Sequence, residues 1–215
     1  MFTEAYPEAF SFEEFNAIRS YAKKLKYANT HLQKISSGSA RVVYKIDNEK
    51  VIKIAKNKKG LAQNNIEADW SIQKYPIVAK TFDIAEGLTE GIGPFWVEME
   101  LAKKMTPNRF KQLSGLTKDD VQNYLSYLIA VNEPHRYQFK PMIRPELKTR
   151  CEDSEFMQDL VTLIMDYDMA YPGDFGRVNS YGEVIREGKP TIVLVDFGVT
   201  STVWNDFYKV ELKRY

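Results

Sequence analysis

Apolar and polar positions follow two regimes along this chain. Residues 41–46 and 51–54 are rich in β-branched residues and flank the turn-forming Asp47-Asn48-Glu49, which predicts a hairpin. Residues 77–85 and 95–101 read as two further strands, separated by Gly87, Gly91 and Gly93. Helical spacing appears at both ends of this block. Ser11-Phe-Glu-Glu14 has the form of a capping box, and Phe15, Ile18, Ala22 and Leu25 follow as one amphipathic helix. Residues 61–75 predict a second helix, ended by Pro76.

Beyond Ala102 the character changes. Thr117-Lys-Asp-Asp120 caps a helix with Val121, Leu125, Leu128 and Ile129 on one face. Phe156, Leu160, Ile164 and Tyr167 mark another, ending near Pro172. A short hairpin is expected from residues 182–186 and 191–195, joined by a turn at residues 187–190. Strands around one helix, then helices with a small hairpin, make an α+β pattern with a boundary near residues 102–106. The expected division is a β-rich lobe over residues 1–102 and a mainly helical lobe over 103–215.

Composition narrows the classes of function. Thirty basic and 29 acidic side chains leave a formal charge of +1, without the basic excess of a nucleic-acid-binding protein. No apolar run approaches the roughly 18 residues of a membrane span, and the acidic N-terminus has no signal-peptide pattern. The lone Cys151 rules out an internal disulfide and fits a reducing, cytoplasmic setting; with only His31 and His135 beside it, a structural zinc site is not expected.

The tripeptide Asp-Phe-Gly occurs twice, at residues 174–176 and 196–198. The first follows the turn signal Tyr171-Pro-Gly173 and has Asn179 five residues after its aspartate. The second ends the apolar run of residues 191–195, a buried strand. Upstream lie Gly38 in a Ser/Gly bend at residues 36–39, Lys53 on a strand, and Glu67 on a helix. Each has an ordinary structural reading: a flexible bend, one lysine among Lys45, Lys50, Lys56, Lys58 and Lys59, a surface acid, a turn former, a strand-end cap. Their order along the chain is the order of parts that phosphoryl transfer from a nucleotide requires.

With these residues the sequence resembles the protein kinase-like superfamily over roughly residues 33–200. ISSGSARVVYKI is similar to its glycine-rich loop, VIKI to the strand carrying its lysine, and NNIEADW to the helix carrying its glutamate. WVEMELA is similar to the strand entering the hinge, GDFGRVNSYG has the catalytic-loop spacing, and VDFG matches the magnesium-binding motif. The resemblance is nearest to compact kinase-like proteins encoded by bacteriophages, which implies the host cytoplasm. It implies a two-lobed fold with a truncated C-terminal lobe, and ATP and Mg2+ as cofactors. It implies Lys53, Glu67 and Asp174 as catalytic residues, and Asn179 and Asp196 as metal ligands. Gly38, Ser39, Val51, Lys53, Met99, Glu100 and Leu101 would bind the nucleotide.

The chain departs from the family at several points. Ser36 and Arg41 stand at two loop glycines, where Arg41 would reach a phosphate instead. Pro172-Gly173 replaces His-Arg before the catalytic aspartate, and Gly176 replaces a lysine, with Arg177 next to it. Seventeen residues follow Gly198, without an Ala-Pro-Glu motif or the later helices that hold peptide substrates. Three activities stay open: an ATP- and magnesium-dependent phosphotransferase with an unassigned acceptor, a protein among the options; a pseudokinase serving as a nucleotide-binding or interaction scaffold; and nucleotidyl transfer.

Overall fold

The computed structural model describes residues 6–7, 9–132, 142–169 and 175–209. The chain is α+β and forms two units. One takes the chain up to Lys74, Ala79–Leu101 and the segment from Thr202; the other takes Tyr75–Val78 and Ala102–Ser201.

The first unit starts with helices α1 (Phe12–Ala17) and α2 (Tyr21–His31), where the sequence predicts one continuous helix. The Ser11 cap forms, its Oγ accepting from the Glu14 N–H. The break at residues 18–20 follows from Tyr27. Its hydroxyl accepts from the Ser11 N–H at 3.0 Å and donates to Glu14 at 2.9 Å. In one straight helix those two positions would stand about 24 Å apart, at 1.5 Å per residue.

Next come strands β1 (Gln33–Ser37), β2 (Arg41–Lys45) and β3 (Lys50–Ala55), helix α3 (Lys58–Glu67), and strands β4 (Thr81–Ile84) and β5 (Trp96–Glu100). They build an antiparallel sheet ordered β1-β2-β3-β5-β4. Asp47 closes the β2–β3 turn by accepting from the N–H groups of Glu49 and Lys50. Strand β1 is absent from the sequence reading, which has a bend at 36–39. It is an exposed edge strand with a bulge at Ile35, so it shows no apolar alternation, and the bend shortens to residues 38–40.

Side chains of one parity in the sheet, Val42, Tyr44, Ile52, Ile54 and Trp96, join Phe10, Phe15, Ala28 and Leu32 in an apolar cluster. On the other parity stand Arg41 and Lys53. Helix α3 runs close against the sheet. A Cβ on Gly60 would lie 2.3 Å from the Ala40 carbonyl, and one on Gly93 2.2 Å from that of Leu61. The helix stops at Glu67, short of the expected Tyr75. Asp69 takes the Ser71 N–H and hydroxyl on its carboxylate and starts a separate 3-10 turn over Trp70–Lys74.

The second unit holds strand β6 (Lys103–Lys104), helices α4 (Pro107–Ser114), α5 (Lys118–Asn132), α6 (Pro145–Glu152) and α7 (Glu155–Asp166), and strands β7 (Tyr181–Arg186) and β8 (Lys189–Leu194). Thr117 and Asp120 exchange the two hydrogen bonds expected at the start of α5. The β7–β8 turn has two residues rather than four. Glu187 and Gly188 both take positive φ, the geometry that suits the twist of a tight hairpin. Of the strand expected over residues 77–85, Thr81–Ile84 forms β4, and Lys80 and Ala85 at its ends also bond to β5. Ile77 and Val78 turn to β8 instead, where the Ile77 carbonyl accepts from Leu194 at 2.6 Å.

Helix α8 (Ser201–Phe207), unread in the sequence, returns the chain to the first unit. There the Tyr208 hydroxyl accepts from Gln63 of α3 at 2.6 Å, and its ring stacks on Trp204. Among the described residues no helix is long and apolar enough to cross a membrane.

Gly60→Ala and Gly93→Ala are expected to destabilise the protein by about 1–3 kcal/mol or more, because the new methyl meets backbone that cannot step aside. Gly38→Ala, with nothing within 4 Å of the added Cβ, should stay within about 0.5 kcal/mol. Urea midpoints at constant slope check the order.

Candidate active site

Register in the first sheet decides where the charged residues go. Val43 pairs with Lys53 and Arg41 with Ala55, so Arg41 and Lys53 share a face on neighbouring strands. Glu67, in the last turn of α3, meets them there. Lys53 Nζ donates to Glu67 Oε2 at 2.7 Å. Arg41 grips both oxygens, Nη1 to Oε2 at 2.6 Å and Nη2 to Oε1 at 3.0 Å.

All three side chains are buried, Glu67 completely. Lys53 is therefore no outward strand residue and Glu67 no surface acid. Burial alone would raise the Glu67 carboxyl, but the charges of Arg41 and then Lys53, with their hydrogen bonds, hold it below the usual carboxylate range. The geometry also corrects the expectation for Arg41. Its guanidinium turns inward to Glu67, as a two-point partner that suits a carboxylate better than a lysine would.

Asn64, one helical turn before Glu67, sets the depth of α3. Its amide donates to the carbonyls of Pro94 and Phe95 at 3.0 and 3.1 Å, and its oxygen lies 3.5 Å from Arg41 Nη1. Thr81 of β4 donates to the Glu67 carbonyl at 2.9 Å. The glutamate is thus fixed through both its side chain and its backbone.

The bend between β1 and β2 exposes Gly38 and Ser39. Lys56 Nζ donates to the Gly38 carbonyl at 2.9 Å and the Asn57 amide to that of Ser39 at 3.1 Å. Neither a positive φ nor a crowded Cβ makes Gly38 necessary to the fold. Val51 pairs with Met99, and both are buried. The Glu100 N–H donates to Lys80 and the Leu101 N–H to Glu49 at 2.6 Å, so both amides already serve the unit.

In the second unit the β7–β8 ladder runs past its last strand pair. Tyr181 stands opposite Leu194, and the Val195 N–H donates to the Ser180 carbonyl at 2.8 Å. Asn179 comes just before Ser180 in the chain, and Asp196 just after Val195. Both are exposed, Asn179 in a 3-10 turn over Val178–Ser180. The second Asp-Phe-Gly is anchored by Phe197, buried beside exposed Asp196.

Asp174 lies outside the described residues, but Phe175 and Gly176 of the first copy are buried. The buried Tyr181 hydroxyl donates to the Phe175 carbonyl at 2.7 Å, holding this segment to the start of β7. Burial raises the Tyr181 phenol well above its ordinary value, so it stays a donor. Ser201 donates twice to Asp168, and Met169 pairs with Thr200, so the segments before and after the two motifs are joined. Arg177 is exposed.

Among the described residues no three His, Cys, Asp or Glu side chains are placed to hold a metal ion. Asn179 and Asp196 offer two hard oxygen donors, which suits an ion that keeps waters and phosphate oxygens as its other ligands. Sequence reasoning missed Asn64 and Tyr181, and it gave Arg41 a phosphate rather than Glu67 as its partner. For Arg41 the signal was present: counting outward from the Asp47 turn puts it on the same sheet face as Lys53.

No family model and no curated protein matches the chain. Among solved structures, it is similar to APH(2")-IIia in a complex with GDP and kanamycin, at 12% identity over 78% of this chain and 66% of that one, with a TM-score of 0.37. It is also similar to wild-type aminoglycoside 2'-phosphotransferase-IIIa in a GDP complex, at 14% identity over 84% and 73%, TM-score 0.37. A third is SAICAR-synthase from Saccharomyces cerevisiae complexed with SAICAR, at 13% identity over 77% and 73%, TM-score 0.38. The chain spans just under two thirds of the first of these.

Glu67→Gln should cost about 3–5 kcal/mol, because it leaves two buried cations without their carboxylate. The parent's contribution from Glu67 is complete above the ordinary carboxyl range and is lost as the pH falls through the lower folded value. Unfolding of parent and variant between pH 3 and 8 should therefore converge toward the acid end. Parallel curves would mean that Glu67 carries no charge in the fold.

Proposed function

We propose that the chain is an ATP- and magnesium-dependent phosphotransferase of protein kinase-like type. The observation that carries the reading is the buried Lys53–Glu67 pair, a strand lysine held by a helix glutamate at 2.7 Å. Phosphoryl transfer is chiefly positioning and electrostatic stabilisation, so it needs a fixed cation at the phosphates more than it needs a nucleophile. In this reading Lys53 contacts the α- and β-phosphates and Glu67 orients it. The exposed backbone of Gly38 and Ser39 covers the phosphates, and Val51 and Met99–Leu101 border the base.

Asn179 and Asp196 would hold the magnesium ion, which when bound neutralises charge on the transferring phosphoryl group. What supports that assignment is that each adjoins, in the chain, one member of the bonded Ser180–Val195 pair. Asp174 would orient the acceptor hydroxyl and take its proton. The second reading, a scaffold without transfer, is favoured by the Glu100 and Leu101 amides, which are both engaged within the unit. γ-Labelled ATP separates the two: label transferred to any acceptor means an enzyme. Transfer from α-labelled ATP instead would mean nucleotidyl transfer.

Mg·ATP at 100 times its dissociation constant should add about 2.7 kcal/mol of stability, read as a rise in Tm. Lys53→Met should remove most of that rise. Lys58→Met is the control, since Lys58 Nζ lies on exposed Glu90 at 3.2 Å. Lys56 is unsuitable as one because it ties the Gly38 carbonyl. Equal losses in the Lys53 and Lys58 variants would show that the phosphate lysine has been misassigned.

Separable defects are expected from the two motifs. Asp196→Asn should weaken the magnesium-dependent part of ATP binding. Asp174→Asn should keep that binding and slow transfer by about 10²–10⁴-fold. The reverse pattern would exchange their roles.

A further inference from the structure

We infer that Arg41 is a positioning residue: it neutralises and fixes Glu67, so that the charge of Lys53 acts on the phosphates of a bound nucleotide. The inference rests on the reading of Lys53 as the phosphate-binding lysine and adds a residue which that reading does not contain. In a one-to-one Lys–Glu pair the glutamate that orients the lysine also cancels its charge. Here the carboxylate faces Arg41 from β2 and Lys53 from β3, with Asn64 on its own helix and the Thr81 hydroxyl of β4 on its backbone carbonyl.

Arg41 makes the two-point contact and Lys53 the one-point contact, sharing Oε2 with Nη1. The guanidinium cannot lose its proton and its fork fixes the plane of the carboxylate. Glu67 is therefore held without Lys53. Replacing Arg41 by Met removes one positive charge from the cluster whatever else surrounds it, so more of the Lys53 charge is drawn to the glutamate. An anion at Lys53 then meets a weaker field.

The test compares parent, Arg41→Met, Arg41→Lys and Lys53→Met. Isothermal calorimetry gives the dissociation constants of Mg·ATP and of adenosine, whose ratio isolates the phosphate contribution. Arg41→Met should raise the ratio of the Mg·ATP to the adenosine dissociation constant by about tenfold or more, the size expected for one charge roughly 10 Å from an anion at an effective dielectric near 20, with adenosine affinity kept. Arg41→Lys restores the charge and should hold the ratio within about threefold of the parent.

An unchanged ratio in folded Arg41→Met, or equal losses for ATP and adenosine, would overturn the inference. If Arg41→Met does not fold, Arg41→Lys decides: a ratio near the parent supports it, and one at the Lys53→Met level overturns it. Acid unfolding without nucleotide gives a separate reading. Loss of stability should begin at a higher pH in Arg41→Met than in Lys53→Met, because Arg41 is the larger of the two charges holding Glu67 ionised. The opposite order overturns the clamp whatever the nucleotide does. With the expected order and no preference for ATP over adenosine in the parent, the nucleotide reading falls and Arg41 remains a clamp on Glu67 alone.

Discussion

A carboxylate removed wholly from water constrains everything packed around it in the first unit. An isolated buried charge costs several kcal/mol even after the protein relaxes, so Glu67 is tolerable only with its cations at hydrogen-bond distance. That requirement fixes three elements at once: β2 through Arg41, β3 through Lys53, and the C-terminal turn of α3. A one-residue slip between β2 and β3 would carry Lys53 to the face of Ile52 and Ile54, among aromatic rings with no acid to meet. Gly60 and Gly93 serve the same constraint from outside, since any Cβ there would lift α3 and stretch the ion pairs.

The second unit answers a different constraint, the holding of exposed polar groups on buried anchors. Its two Asp-Phe-Gly copies share chemistry only in the phenylalanine. Phe175 and Phe197 are both buried, and Phe197 fixes the path of the chain beside the exposed Asp196. Their surroundings differ. Phe197 follows β8 directly, whereas Phe175 is tied through its carbonyl to Tyr181, across a turn from β7. Phe110, Phe156 and Tyr181 pack as neighbouring rings beneath that tie. Arg109 meanwhile grips Glu183 at the middle of β7 with two hydrogen bonds, so α4 braces the β7–β8 hairpin.

Elements with both a cap and a periodic apolar face were legible in the sequence. The Thr117 box and the face of α5 and the Asp47 turn with its two strands formed as read, and the β7–β8 pair formed with a shorter turn. Elements carrying only one of those signals were lost. Helix α4 has a Thr-Pro start and Gly115 in the left-handed conformation at its end, but Phe110 is its only buried side chain, so no period shows. Strand β1 buries nothing. The interruptions at residues 18–20 and 68–69 come from contacts that single-helix periodicity does not contain, those of Tyr27 on Ser11 and Asp69 on Ser71. At the candidate site, residue types and their order could be read, and Lys53 and Glu67 do meet. The inward turn of Arg41 depends on register, which the pattern implies only once the hairpin is counted out pair by pair.

The face of the sheet away from this cluster explains how the charges stay in place. There Phe10, just before α1, packs against Phe12 and Phe15 of α1 and Tyr27 of α2, with Phe12 against Trp96. Lys24 sits 4.8 Å from the rings of both Phe15 and Phe95, a cation held by aromatic faces; burial lowers its ammonium below the ordinary value. Tyr6 donates to Glu98, which Lys50 also reaches at 3.1 Å, so the acid on that side has a donor and a cation as well. With apolar packing on one side and the Glu67 ion pairs on the other, β2 and β3 have little freedom to shift. Arg41, Lys53 and Glu67 hold one another in place through hydrogen bonds of 2.6–3.0 Å. Pre-formed charge of this kind stabilises an incoming anion without reorganising the protein first, which is the condition for electrostatic catalysis and equally for tight anion binding.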